Sequence, residues 1–290
     1  MIAPAPLVTI RRLYTDIPLL AEGALAALIH QSHLLAEASV PEPQAAEHPS
    51  IKRLRDGLRP AAERNGNLAV VPVQGALLRR PDPWEQAWGE AEDTDAVRSL
   101  VDQVAADSDV AGILLDVDSP GGFYGGGPEL ADAVRAARSK KPVVAWTGGT
   151  MASLAYWVGS QANQVVASRS AAVGSIGVYI ALLDWSRLYE ALGVRVELFR
   201  NREGTLKAAG LPGTSLSEPQ REHFQERAQS AFAEFKRAVR SVRPGVPDDA
   251  MKGQTLNGTE AKAAGLVDRI GDRSFALSAL RSLVRQRAAP

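Results

Sequence analysis

Gly112-Ile-Leu-Leu-Asp-Val-Asp-Ser-Pro-Gly-Gly122 is the stretch on which the fold turns. Its first six residues form a short apolar run that stops at turn-forming residues, the pattern of a buried strand. Similar runs stand on either side of it: Leu68-Ala-Val-Val-Pro-Val-Gln-Gly75 before, and Pro142-Val-Val-Ala-Trp146 after. Between the runs the apolar spacing changes to that of helices. Asp93-Thr94 can cap a helix reaching Asp107, with Val97, Leu100, Val101 and Val104 on one face, and a second helix is predicted from about Pro128 to Arg138. Strands alternating with helices predict an α/β fold with a mostly parallel sheet and crossover helices.

Further along, Gly148-Gly149 leads into a helix predicted to start near Met151. Strands are predicted at Val165-Val-Ala-Ser168 and Val194-Arg-Val-Glu-Leu-Phe199, with a helix over Asp184 to Leu192 between them. Ser217-Glu-Pro-Gln220 reads as a capping box opening the longest helix. Phe224, Ala228, Ala231, Phe232, Phe235 and Val239 keep an apolar stripe along it, suited to packing or to a subunit surface. Arg79 to Glu92, with Trp84 and Trp88, reads as an irregular excursion. Residues 1–66 form an N-terminal extension: a helix candidate over Leu19 to Ala38, a loose tract from Pro41 to Pro49, and a charged stretch from Lys52 to Arg64. They are expected to be a partly mobile or oligomerisation arm on a main domain spanning 67–290.

Composition prunes the chemistry. The chain has 290 residues, no cysteine, and four histidines, at positions 30, 33, 48 and 223. A thiol nucleophile, a disulfide framework and a structural zinc site therefore lack their ligands. Acidic and basic residues balance at 33 each, so no basic surplus marks a nucleic-acid partner. Ile17 to Leu35 is interrupted by Glu22, His30, Gln31 and His33, which makes it neither a membrane span nor a good export signal. A cytoplasmic protein is the expectation.

Two glycine-rich loops follow strands, Ser119-Pro-Gly-Gly122 and Thr147-Gly-Gly-Thr150, and in α/β sheets ligands bind beyond the carboxyl ends of strands. The loops could face one another. Glycines at 121 and 122 would let backbone N–H groups approach a developing oxyanion, although Pro-Gly-Gly alone is more often a tight turn. Ser153 stands in Thr147-Gly-Gly-Thr-Met-Ala-Ser-Leu-Ala-Tyr-Trp157, where small residues on one side suggest an exposed hydroxyl near a helix start, with the Leu154 N–H as a second donor. The ordinary role of such a serine is a cap or a small packing residue. No Gly-x-Ser-x-Gly elbow and no Ser-x-x-Lys motif accompanies it.

With histidine scarce, a lysine is the better candidate base for a serine nucleophile, and a lysine base must be held neutral by its surroundings. Most of the seven lysines lie among charges. Lys207, in Gly204-Thr-Leu-Lys-Ala-Ala-Gly210, has a small, apolar setting that could desolvate an ammonium, though a solvated loop lysine is the plainer reading.

Taken in order, five motifs resemble a known family: Asp118-Ser-Pro-Gly-Gly122, Met151-Ala-Ser-Leu-Ala-Tyr-Trp157, Val173-Gly-Ser-Ile-Gly-Val178, Gly204-Thr-Leu-Lys-Ala-Ala-Gly210, and Leu256-Asn-Gly-Thr-Glu-Ala-Lys-Ala-Ala-Gly-Leu-Val-Asp-Arg-Ile-Gly271. The resemblance is to the signal peptide peptidase A family of serine peptidases, and within it to the phage capsid-maturation (prohead) protease branch. It spans roughly Leu68 to Leu280. It implies a Clp/crotonase-like fold, and a Ser-Lys dyad with Ser153 as nucleophile and Lys207 as general base. It further implies that Ser175 orients the lysine amine, and that Gly121 or Gly122 and Leu154 form an oxyanion hole. No cofactor and no metal is implied. Leu154 and Ala155 stand where the family often has glycines, a departure expected to alter the shape of the S1 pocket. The implied partners are polypeptides, namely capsid, portal or scaffold proteins, and further copies of the chain in a homo-oligomeric ring.

Two other classes compete. A crotonase-type acyl-CoA enzyme would share the paired oxyanion N–H groups, but neither glycine-rich loop carries the glutamate it would need. A non-catalytic ring-forming assembly subunit would have no use for Ser153, Lys207 and Ser175 together.

Overall fold

The computed structural model describes residues 62–81 and 91–288 in full, and 18–20 through their backbone. The readings made on residues 21–61, on Trp84 and Trp88, and on the first seventeen residues lie outside the described residues. Leu19 and Leu20, predicted as the start of a helix, belong instead to a strand, β1 (Pro18–Leu20).

The principal sheet forms from the runs the sequence marks. Its strands are β2 (Glu63–Asn65), β3 (Leu68–Gln74), β6 (Gly112–Asp118), β8 (Val143–Thr147), β10 (Gln164–Ala167) and β13 (Arg269–Ile270), in spatial order β13-β10-β8-β6-β3-β2. All pairs are parallel except β2 with β3. This is the expected α/β class with a mostly parallel sheet. Parallel neighbours need crossovers, and α1 (Thr94–Ala106) and α2 (Gly127–Lys140) supply them. The Asp93 side chain accepts from the Asp95 N–H at 3.0 Å, closing the predicted cap of α1.

Because side chains alternate along a strand, each strand feeds two cores. Ala69, Val71, Val73, Ile113, Leu115, Val117 and Ala145 face one way, into a cluster with residues of α1, α2 and α3 (Leu154–Ser160). Leu68, Val70, Leu114, Val144 and Val166 face the other way, onto Ala276, Leu277 and Leu280 of α7 (Arg273–Ala288). Helices on both faces explain why the strands read as continuous apolar runs.

Two smaller sheets stand beside the principal one. One comprises β1, β7 (Gly121–Phe123), β4 (Ala76–Leu78) and β5 (Ala91–Asp93), in the order β1-β7-β4-β5. The other comprises β9 (Thr150–Ala152), β11 (Ala172–Gly174) and β12 (Thr255–Asn257), with β11 in the middle. The helix predicted near Met151 thus begins only at Leu154, because residues 150–152 are drawn into sheet pairing first.

Beyond β11 the chain makes a long excursion. No residue from 177 to 219 is buried, and its one helix is the short α4 (Ser186–Ala191). The strand predicted over Val194 to Phe199 is absent: the alternation is present, but no sheet edge lies alongside to satisfy its backbone, and Phe199 is 90% exposed. The chain then enters α5 (Glu218–Val242) through the capping box, in which the Ser217 N–H donates to Gln220 Oε1 at 3.0 Å. Of the predicted stripe, Ala231, Phe235 and Val239 are buried, so that part of it is spent on packing within the chain. The short α6 (Gly258–Ala263) carries a second box, between Asn257 and Glu260. Among the described residues no helix is long and apolar enough to cross a membrane.

Candidate active site

The loop after β6 is sewn to β9. The Ser119 N–H donates to the Thr150 carbonyl at 2.8 Å, the Ala152 N–H donates to the Ser119 carbonyl at 3.2 Å, and Ser119 lies opposite Met151 in a parallel bridge. Counting two residues on along each segment brings Gly121 and Ser153 to the same end of this seam. On its other side β9 runs parallel to β11, with Ala152 opposite Gly174, and the Ser153 N–H donates to the Gly174 carbonyl at 2.8 Å. Ser175 is the next residue. Three stretches far apart in sequence therefore meet around Ser153.

Ser153 itself adopts φ 51°, ψ −124°, a conformation that costs a non-glycine residue about 1–3 kcal/mol. It caps the N-terminal end of α3 without using its side chain. Its Oγ is buried and has no hydrogen-bond partner. The exposure expected from the small residues before it is not found: Ser153 is 0% exposed, because the Ser119 loop and β11 close over both flanks of β9. An orphaned buried hydroxyl on strained backbone is costly twice over, and such residues concentrate at functional sites.

The helix that fixes Ser153 is itself pinned. All seven residues of α3 are buried. The Tyr156 hydroxyl donates to the Leu266 carbonyl at 2.9 Å, and its burial pushes the phenol well above the ordinary tyrosine range. The Trp157 ring stacks on Phe235 of α5 with centroids 4.7 Å apart and planes 8° from parallel. Leu154 is fully buried, with its methyl groups where a side chain on Gly127 would have to go, so it fills the interior at the start of α2.

Ser175 shares the strained backbone of Ser153, at φ 51°, and is 4% exposed; its N–H donates to the Gln254 carbonyl at 2.7 Å. The proposed oxyanion glycines differ from each other. Gly121 has φ 102°, and its N–H donates to Ser119 Oγ at 3.2 Å, within its own loop. Gly122 is a glycine for reasons of space: a Cβ there would lie 1.8 Å from the Leu77 carbonyl oxygen of β4.

Lys207 is not buried with them. It sits in the turn 204–210, its N–H donating to the Gly204 carbonyl at 2.9 Å, and its side chain is exposed, not desolvated as its apolar neighbours suggest. Ser153 Oγ having no partner, no hydrogen bond links the two side chains in the single chain. The surrounding excursion also exposes Leu183, Leu188, Leu192, Val194, Leu198 and Phe199.

One residue that shapes the site escaped the reading of the motif it opens. Asp118 Oδ1 accepts the Thr150 N–H at 2.9 Å, and its carboxylate fills the space beside Gly149, where a Cβ would come within 2.5 Å of it. It ties the first glycine-rich loop to the second. The signal available in the sequence was an Asp at the end of a strand and the start of a turn, a position where its side chain commonly accepts from backbone N–H groups. Among the described residues no group of three or more His, Asp or Glu is placed to hold a metal ion.

Residues 135–287 match the profile of peptidase family S49. The match contains Ser153, Ser175 and Lys207 and begins after Gly121 and Gly122. The chain is 31% identical over 238 residues to "Head-tail preconnector protein GP5" of Enterobacteria phage P21, covering 79% of this chain and 47% of that protein. It is 31% identical over 223 residues to "Capsid assembly protease C" of Escherichia phage lambda, covering 76% and 50%, and 30% identical over 233 residues to "Protease 4" of Salmonella typhi, covering 79% and 36%. The chain thus spans half or less of the length of these relatives. Solved structures that overlay on 80% of the chain include Pseudomonas aeruginosa DspI (TM-score 0.45, 14% identity, 80% of that chain). An enoyl-CoA hydratase/carnithine racemase from Magnetospirillum magneticum overlays to the same extent (TM-score 0.44, 14% identity, 75% of that chain).

Proposed function

This chain belongs to peptidase family S49, and from that premise we propose that it is a serine endopeptidase acting through Ser153 and Lys207. The observation that carries the reading is the state of Ser153: strained, buried at a convergence of three loops, and with a hydroxyl committed to no other group. In the proposed cycle Lys207 takes the hydroxyl proton as Ser153 attacks a peptide carbonyl, then returns it to the leaving amine; water hydrolyses the acyl-enzyme by the same route. Ser175, beside Ser153, orients the lysine amine. The N–H groups of Leu154 and of Gly121 or Gly122 receive the oxyanion, Gly121 first giving up its bond to Ser119.

Lys207 is exposed and makes no hydrogen bond to the Ser153 hydroxyl in the single chain, and it lies within an excursion that buries nothing of its own. The reading therefore includes a second copy of the chain, which covers that excursion and completes the dyad in a homo-oligomer. The substrates proposed are scaffold, capsid or portal polypeptides, in line with the names borne by the two phage relatives.

The test is labelling by a fluorophosphonate, which acylation chemistry at Ser153 requires. Wild type is expected to be labelled at Ser153 and to cleave an unfolded protein substrate; a Ser153→Ala variant that cleaves at the wild-type rate overturns the reading.

A further inference from the structure

Gln220 is the first buried residue after Ile176, at 6% exposure. A buried side-chain amide needs a partner at each of its two ends, and this one has both. Its Oε1 accepts the Ser217 N–H at 3.0 Å, closing the cap of α5, and its Nε2 donates to the Thr205 carbonyl at 3.2 Å. The partners fix which way round the amide stands, since a backbone N–H can meet only the oxygen and a carbonyl only the nitrogen.

The residue type matters here. Glutamate serves a capping box as well as glutamine does, because the cap uses only a side-chain oxygen. The bond to Thr205 needs a donor, and an ionised glutamate has none. Thr205 belongs to the turn that carries Lys207, and its carbonyl accepts a second time, from Arg200 Nη1 at 3.0 Å; the same guanidinium nitrogen lies 3.5 Å from the Lys207 carbonyl. Of these two side chains, Gln220 is the one rooted in a long helix.

Further along α5, Phe235 stacks on Trp157 of α3, the helix that begins directly after Ser153. One element thus holds the nucleophile's helix at one point and the lysine's turn at another. We infer that Gln220 is a positioning residue for the general base, setting the Lys207 turn against α5 through the Thr205 carbonyl. The inference rests on Lys207 being that base. It holds whether Lys207 serves Ser153 of its own chain or of a second copy, because the bond orients the turn within the chain that carries it. Misplacing a reacting group by about 1 Å can cost roughly 100-fold in rate, so one hydrogen bond at this point is enough to matter.

The experiment measures kcat and KM for casein cleavage, and Tm, in the full chain and in its Gln220→Glu, Gln220→Met and Lys207→Ala variants. Gln220→Glu keeps the acceptor for Ser217 and loses the donor to Thr205, whereas Gln220→Met loses both. The expected result is a kcat lowered about 10-fold to 100-fold in both Gln220 variants, with KM little changed. Tm should fall in Gln220→Met, where the cap is lost, and fall less in Gln220→Glu. Either variant cleaving with the wild-type kcat overturns the inference and leaves the proposed function standing; that result for Gln220→Glu alone would confine the residue to the cap. A raised KM at unchanged kcat overturns it as well, by placing the residue in substrate binding. Lys207→Ala that cleaves casein at the wild-type rate overturns the base assignment, and the inference with it.

Discussion

Ser153 and Ser175 occupy equivalent places at the ends of two paired parallel strands, and both hold a φ of 51°. The link between them is the Ser153 N–H, which donates to the carbonyl of Gly174 at 2.8 Å. Two neighbouring residues strained in the same sense mark a position where local comfort has been given up for placement. That relationship sets the first expectation.

Ser153→Gly should remove the backbone strain and the orphaned hydroxyl together, raising stability by about 1 kcal/mol, or roughly 2–4 °C in Tm for a chain of this size. Peptide cleavage should be lost with it. Thermal denaturation alongside a peptidase assay checks both; a destabilised Ser153→Gly would mean that the conformation is not strained.

Lys207→Ala should leave the melting temperature unchanged, since the side chain is exposed in the chain. It should abolish cleavage as fully as Ser153→Ala does. If a second copy completes the site, mixing the two inactive variants under conditions of subunit exchange should restore part of the activity. A mixture that stays inactive while exchange is shown by mass would place the dyad within one chain.

Gly122→Ala should disrupt the small sheet, because the new methyl would sit 1.8 Å from the Leu77 carbonyl oxygen, where only backbone movement can relieve it. Overpacking of this kind costs about 1–3 kcal/mol or more. A lowered Tm, together with loss of activity, is the outcome to look for.

Phe235→Ala should cost about 3–5 kcal/mol, the usual range for emptying a buried aromatic site. Phe235 is fully buried, and its stacking on Trp157 holds the helix that positions Ser153. Chemical denaturation measures the loss; kcat should fall more than KM changes in any folded fraction, since it is the nucleophile that is displaced.

Acid should weaken the fold through capping carboxylates. Asp272 accepts the Phe275 N–H at 2.8 Å and the Ser274 hydroxyl at 2.7 Å, which holds its carboxyl below the usual range. Asp107 is lowered by a similar bond from the Asp109 N–H, and Asp184 by the Ser186 hydroxyl and then the Ser186 N–H. A depressed folded-state value stabilises the ionised form, so this contribution is complete above about pH 5 and is lost as the pH falls through the folded values. In Tm measured against pH, Asp272→Asn should flatten the acid limb; an unaltered limb would show that the cap does not titrate with folding.

Much of this was legible in the chain itself. The runs at Leu68, Gly112 and Val143 read as strands because each is covered by helices on two faces, and the Asp93 and Ser217 caps could be named because capping depends on residues two or three apart. Val194 to Phe199 shows the limit. Its alternation is that of a strand, but a strand needs a neighbour, and whether a neighbour exists is not a local property.

The site divides along the same line. Sequence by itself determined the residue types available: a serine beside small residues, a lysine in an apolar turn, glycines after strands, and no cysteine. Those are properties of composition and of short-range order. Only the tertiary structure decided that Ser153 is buried, that Asp118 clamps one glycine loop to the other, and that Pro18–Leu20 lies along β7. Each of these depends on hydrogen bonds between backbone segments distant in sequence. A backbone amide is chemically the same at every residue, so the sequence carries no direct mark of where it will pair.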